Sequence, residues 1–329
     1  MSNHHSDYDF YELEDFEGLP PIRNMPRVKT SAGKQRHSKP RPGKAPDIIE
    51  QEIIELVEDE ENFDFSYAAS HHERKWILNS LGGFYEGQWF DDVLRLVKGG
   101  KEAHVYQCLA NPSVEGLSQP YIAAKVYRPR RFRNLRNDHM YREGRNLLDS
   151  DGRLITDDGM LHAIHCRTAY GQELLHTSWI EHEYNALKVL HAAGADVPMP
   201  LERGNNAILM SYVGDDLTPA PTLNNLDLDP DEACYLFRRV MYNVELMLAN
   251  GLIHSDLSAF NILYWQGNIT LIDFPQVIAP RVNSNAFRIF ERDIVRICEY
   301  FNRQAAPSSP KKIARDLWTA YGHRLEAVA

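Results

Sequence analysis

The stretch His254-Ser255-Asp256-Leu257-Ser258-Ala259-Phe260-Asn261, followed ten residues later by Leu271-Ile272-Asp273-Phe274, decides how this chain is read. Its form is H-x-D-x-x-x-x-N, then an apolar strand ending in aspartate. Phosphoryl transfer needs one carboxylate beside the acceptor and hard oxygen ligands for the Mg²⁺ that bridges the nucleotide phosphates. Asp256 supplies the first. Asn261 and Asp273 supply the second, since Mg²⁺ takes few ligands from protein and prefers oxygen. Two short strands, Ile262 to Tyr264 and Ile269 to Ile272, turn at Gln266-Gly267-Asn268 and would bring those two ligands together. A capping aspartate and a turn asparagine would explain either half alone, but not the whole ordered string.

Working outward, the next charged residue out of place is Lys125, inside the apolar strand Tyr121 to Tyr127. A buried ammonium costs free energy unless paired, so a helix glutamate is expected opposite it. The candidates are Glu181 and Glu183, on a helix expected over Trp179 to Ala193. Glu183, followed by Tyr184 and Leu187, fits better. Before that strand, Gly99-Gly100-Lys101-Glu102-Ala103 lies between an apolar stretch and the strand His104 to Leu109. Glycines there permit close backbone approach to phosphate oxygens, although taken alone the segment reads better as a simple hairpin turn.

The rest of the pattern is strand and helix first, then mostly helix. Trp76, Ile77, Leu78 and Leu81 predict a helix ended by Gly82-Gly83. Ile208 to Val213 predicts a strand and Asp231 to Asn250 an amphipathic helix. Two more helices are expected near 287–302 and 310–325. The whole suggests an α+β, two-lobed architecture. Residues 128–177 read as a long insertion.

Composition bounds the alternatives. The chain has 329 residues, a formal net charge of -10 and 43% apolar residues, enough for a sizeable core. Cys108, Cys166, Cys234 and Cys298 are scattered, which argues against a disulfide framework and for a reducing compartment. No apolar run approaches 18 residues, so no membrane span is expected, and a cytoplasmic protein is the expectation. Residues 7–17 are acidic, 23–44 basic and proline-rich, and 47–64 acidic again. Such blocks cannot repay the entropy of ordering, so residues 1–66 are expected to be a disordered charged tail before a domain over 67–329. Arg128, Arg130, Arg131, Arg133 and Arg136, with Arg142 and Arg145 beyond, suggest contact with RNA or a phosphorylated partner. A solvated face is the simpler alternative. His162, His165, Cys166 and His176 fit no zinc spacing.

Taken together, Gly100 to Tyr106, Ala124-Lys125-Val126-Tyr127, Trp179 to Tyr184, Met210-Ser211-Tyr212-Val213-Gly214-Asp215-Asp216 with Pro219-Ala220-Pro221, and the two motifs quoted first resemble the RIO family of atypical serine/threonine protein kinases. The likeness spans about residues 98–302. The Gly-Lys-Glu-Ala form is similar to its first branch, and Ser258 stands where ordinary serine/threonine kinases usually carry lysine. The resemblance implies a protein-kinase-like fold with a trimmed C-terminal lobe, the lobes falling at about 84–213 and 214–329. It implies ATP and Mg²⁺ as cofactors, with Asp256 as catalytic base and Asn261 and Asp273 as metal ligands. Gly100, Lys101, Glu102, Lys125 and Glu183 would serve the phosphates, and Met210, Ser211 and Val213 a hinge for adenine. It also implies activity as an ATPase, with transient phosphorylation of Asp273, and work on ribosomal small-subunit precursors. Phe274-Pro275 departs from the small pair expected after that aspartate, and the N-terminal extension has no counterpart. Two other readings compete: a small-molecule kinase of the aminoglycoside or choline type, and an ATP-gated binding module.

Overall fold

The computed structural model describes residues 63–100, 102–128 and 145–323. Lys101, most of the expected tail and the arginines from Arg130 to Arg142 lie outside them.

The first half is a five-stranded antiparallel sheet in the order β1-β2-β3-β5-β4. Its strands are β1 (Phe90–Gly99), β2 (Ala103–Ala110), β3 (Tyr121–Tyr127), β4 (Pro200–Arg203) and β5 (Ala207–Ser211). Side chains of a strand alternate between faces, and β3 uses the alternation fully. Ile122, Ala124 and Val126 join Leu209 and Ala207 in one apolar cluster with Ile77 and Leu81 of helix α1 (His71–Glu86). Ala123 and Tyr127 face the other way, with Ile208 and Met210, onto Ile180 of helix α3 (Ala169–Ala192). Lys125 shares that second parity, which puts its ammonium on the α3 side. Each fully buried Leu or Ile of these layers contributes about 1.5–3 kcal/mol, so the register that sets Lys125 opposite Ile208 is strongly fixed.

Three sequence expectations shift here. Helix α1 does not end at Gly82-Gly83 but runs on to Glu86, capped by Gly87, whose amide bonds Gly83 O at 3.0 Å. Burial of Leu81, Gly82 and Phe84 outweighs the roughly 1 kcal/mol that a helical glycine costs. Phe63 and Phe65, assigned to the tail, are buried with α1 and β1, and the amide of Tyr67 bonds Val93 O at 3.0 Å. The long insertion holds helix α2 (Asp158–His165), and α3 starts at Ala169 rather than Trp179. Thr168 caps α3 by accepting from the Gly171 amide at 3.0 Å. α2 crosses so closely that a Cβ on Gly171 would stand 2.1 Å from Ala163 O.

The second half is helical around a small hairpin. Helix α4 (Pro230–Ala249) is capped by Asp229, with Pro230 in its first turn. β6 (Ile262–Trp265) pairs with β7 (Asn268–Leu271). Helix α5 (Ala286–Arg303) and helix α6 (Pro310–Ala320) complete a core of Leu236, Val240, Leu271, Phe274, Ile294, Phe301 and Trp318 among others. α6 stops short of the expected Leu325, turning at Gly322 with φ 76°. No helix among the described residues is long and apolar enough to cross a membrane.

Candidate active site

Three segments far apart in sequence converge between the sheet and the helical half. From β3, Lys125 Nζ lies 2.5 Å from Glu183 Oε1 of α3 and 2.7 Å from Asp273 Oδ1, just past β7. Glu183 is the expected partner. Glu181 instead pairs with Arg203, on the edge of the sheet. Tyr127, two residues beyond Lys125 and therefore on the same face, donates its hydroxyl to Glu183 Oε2 at 2.6 Å. Both oxygens of a side chain only 1% exposed are thus satisfied.

The electrostatics follow. Burial works against the Lys125 ammonium, but Asp273 and Glu183 outweigh it and raise its pKa. Burial raises the Glu183 carboxyl despite Lys125 and Tyr127. Burial works the same way on Asp273, yet Lys125 holds it below the ordinary aspartate range, consistent with a side chain still 41% exposed. Two carboxylates around one ammonium leave the cluster one negative charge in surplus, which suits a further cation.

The loop before β6 is built around His254. Buried, it stays neutral, its pKa lowered by desolvation. Its Nε2 sits 3.1 Å from the Ile272 carbonyl, which can only accept, so Nε2 carries the proton and donates. Nδ1 then accepts from the Asp256 amide at 3.3 Å. One ring therefore ties the loop of Asp256 to the strand end of Asp273. Asn261 donates through Nδ2 to Asp256 O at 2.9 Å and to Asp256 Oδ2 at 3.2 Å. That turns its amide oxygen into the group left for a cation. The Ile272 amide donates to Asn261 O at 3.0 Å, so the hairpin returns the chain beside Asn261 one residue before Asp273. Oxygen donors from Asn261 and Asp273 match the demands of Mg²⁺.

Beneath this loop, α5 presents charges that sequence reasoning missed. Arg292 donates to Ser255 O, steadying a residue held at φ 69°. Asp293 takes a bond from the Leu257 amide, and burial pushes its carboxyl up to about 7. Arg296 Nη1 lies 2.9 Å from Asp256 Oδ1. The available signal was weak, because α5 is amphipathic and also carries Arg288, Glu291, Glu299 and Arg303. Tyr127 was also missed, although the period-2 pattern places it beside Lys125.

The other expected residues divide. Gly100 bonds Ala103 O through its amide at 2.9 Å, and a Cβ there would meet that oxygen at 2.8 Å. Glu102 accepts the Arg128 amide at 2.8 Å through its carbonyl. In the hinge, Ser211 already gives its amide to Met199 O at 2.9 Å, and Val213 O accepts from Ala220 at 3.1 Å. β5 ends at Ser211, two residues before the expected Val213. Met210 is buried against α3. Two of the arginines read as an RNA surface are engaged inside the chain. Arg145 donates to Pro275 O at 3.0 Å and Val277 O at 2.5 Å, and Arg128 lies 2.9 Å from His104 Nε2.

A five-stranded antiparallel sheet whose central lysine is bound to the helix behind it, over a helical half carrying a His-x-Asp loop, is a protein-kinase-like arrangement. A family model described as RIO domain matches residues 105–313. The RIO-type serine/threonine-protein kinase Rio1 of Thermoplasma acidophilum is 30% identical over 135 residues, 41% of this chain and 69% of that protein. Rio1 of Methanocaldococcus jannaschii is 25% identical over 263 residues, covering 79% and 80% of the two chains. The human serine/threonine-protein kinase RIO1 is 30% identical over 129 residues, 39% of this chain but only 22% of that protein. Among solved structures, the Rio2 kinase from Chaetomium thermophilum, crystallised as an ADP/Mg²⁺-phosphoaspartate complex, aligns with TM-score 0.47 and 21% identity. That alignment covers 72% of this chain and 64% of the other. The chain belongs to the RIO domain family of atypical serine/threonine kinases.

Proposed function

We propose that this protein is a Mg-ATP-dependent phosphotransferase of RIO type, passing the γ-phosphoryl of ATP to a protein serine or threonine or to water. The observation that carries the reading is the convergence of Lys125, Glu183 and Asp273 within 2.7 Å contacts across from Asp256 and Asn261.

Each residue has a task its geometry allows. Lys125, oriented by Glu183 and Tyr127, neutralises nucleotide phosphates. Asn261 and Asp273 would hold the metal, which would supply charge neutralisation at the phosphates. Asp256 accepts the proton of the attacking hydroxyl or water. Gly100, with its neighbours Lys101 and Glu102, covers the phosphates, and Met210, Ser211 and Val213 edge the adenine. A Gly-Lys-Glu-Ala turn supports placing the chain with the first RIO branch. The substrate reading, a ribosomal small-subunit precursor or a protein substrate in the cytoplasm, rests on the family likeness.

The test is Mg-dependent hydrolysis of labelled ATP by the wild type, Asp256→Ala and Asp273→Ala. Loss of turnover in both variants, with Mg-ADP binding kept in Asp256→Ala and lost in Asp273→Ala, is expected. Wild-type turnover in both variants would overturn the assignment. A ribosomal precursor that accelerates a slow single turnover would select the ATPase form, whereas steady phosphorylation of a peptide would select the kinase form.

A further inference from the structure

Helix α5 reaches the catalytic loop with three charged side chains, and they do different things. Arg292 and Asp293 bond backbone groups, the carbonyl of Ser255 and the amide of Leu257. They hold the loop as a shape. Arg296 alone of the three bonds a side chain that the proposed mechanism uses, the carboxylate of Asp256.

That pair is half-exposed, 40% for Arg296 and 44% for Asp256. An ion pair so open to water contributes little to folding, so the fold does not account for it. Its position does have chemical consequences. Asp256 Oδ1 takes Arg296, and Oδ2 takes Asn261 Nδ2. The carboxylate is thereby fixed in rotation from both ends, while each oxygen keeps a second lone pair for an incoming O–H. The loop itself brings no cation. Ser258 occupies the place, two residues after the aspartate, from which ordinary serine/threonine kinases supply a lysine.

We propose that Arg296 is a positioning residue for Asp256 and that it supplies, from α5, the positive charge that Ser258 cannot. This deepens the phosphotransferase reading and rests on Asp256 being its base. In the step concerned, the acceptor oxygen bonds the γ-phosphorus as the bridging P–O bond to ADP breaks, and the acceptor proton passes to Asp256. Arg296 acts by holding the receiving carboxylate in one orientation and by placing a guanidinium next to the region where negative charge is redistributed. It binds neither adenine nor the metal, so its effect belongs to turnover and not to nucleotide affinity.

The experiment is single-turnover Mg-ATP hydrolysis by the full chain and by Arg296→Gln, Arg296→Lys and Asp256→Ala, with Mg-ADP affinity measured by calorimetry on each. Arg296→Gln is expected to slow the saturated rate about 10- to 100-fold, the usual range for losing one electrostatic or proton-transfer contact. Its KM for ATP and its Mg-ADP affinity should stay within about twofold. Arg296→Lys, which keeps the charge and one N–H donor, should recover most of the rate. A wild-type rate in Arg296→Gln overturns the proposal. So does a loss of Mg-ADP affinity parallel to the loss of rate, or a lysine variant as slow as the glutamine. If Asp256→Ala is slow while Arg296→Gln is not, only the role of Arg296 fails. If Asp256→Ala turns over normally, the base assignment beneath it fails.

Discussion

Lys125 and Asp273 stand 148 residues apart in the chain and 2.7 Å apart in space. One ammonium, 11% exposed, joins the sheet to the helical half and also balances Glu183, itself 1% exposed. Removing it strands a buried carboxylate. Lys125→Met should therefore destabilise the protein by about 3–5 kcal/mol. The double variant Lys125→Met/Glu183→Gln should recover part of that loss, because the uncompensated charge is gone. Urea unfolding of the two variants and the wild type measures the coupling directly. Equal midpoints for the single and double variants would mean that the Lys125–Glu183 pair is not what the fold senses.

Tyr127→Phe isolates the hydroxyl that satisfies the second oxygen of Glu183. The ring keeps its edge contact with Trp179, centroids 4.9 Å apart, so packing is preserved. Leaving a buried acceptor short of one donor should cost about 1–3 kcal/mol. Mg-ATP binding should weaken too, since Glu183 then orients Lys125 less firmly. Unchanged melting and unchanged affinity would show that the hydroxyl is dispensable.

Asp293 gives the chain a pH signature. Its folded pKa is raised to about 7 from an ordinary 3.8, so the folded state binds the proton more tightly than the unfolded chain. The stabilisation is complete below the unfolded pKa, declines as pH rises, and is lost once pH passes about 7. Asp293→Asn removes the titration. Relative to wild type, that variant should gain stability as pH is raised from 5 to about 7, by at most about 1.4 kcal/mol per pH unit, and the difference should level off above that. Thermal melts across that range check it, and a constant difference between the two proteins would contradict it.

Gly100→Ala tests the tight turn before β2. The added Cβ would meet the Ala103 carbonyl oxygen at 2.8 Å, and because that neighbour is backbone, the turn must move. A stability loss of about 1–3 kcal/mol is expected, together with a raised KM for ATP. An alanine variant with wild-type melting and KM would show the turn to be free to adjust.

Much of this was legible because the decisive residues are anomalies against simple patterns. Lys125 is a charge inside an apolar strand, and the alternation that buries Ala123 and Tyr127 also assigns it to the α3 face. Strand β3 was read to its residue limits. The H-x-D-x-x-x-x-N string and the aspartate after it lie close because the β6–β7 hairpin returns the chain from Asn261 to Ile272. The failures have equally specific causes. Gly82-Gly83 looked like a stop, but a glycine ends a helix only where packing does not carry it forward. The first ten residues of α3 were hidden in a mixed segment because Gly171 serves contact with α2 and not an apolar stripe. Strand β4 is four residues long and begins with Pro200, too short for its alternation to register. Arg292, Asp293 and Arg296 look like the solvated side of an amphipathic helix until the loop that covers them is known.

The backbone at Asp273 has a consequence of its own. Its φ is 72°, a left-handed conformation that costs an ordinary L-residue about 1–2 kcal/mol and glycine almost nothing. Its carboxylate is also the second acid around a single ammonium. Asp273→Gly would relax the main chain and leave Lys125 and Glu183 as a neutral couple. Such a variant should lose its Mg-dependent binding without gaining stability, because it also gives up the ion pair with Lys125 that holds the Asp273 carboxyl below the ordinary range. The position is thus one where backbone strain is balanced by an ion pair, so a relaxed main chain does not by itself yield a more durable protein.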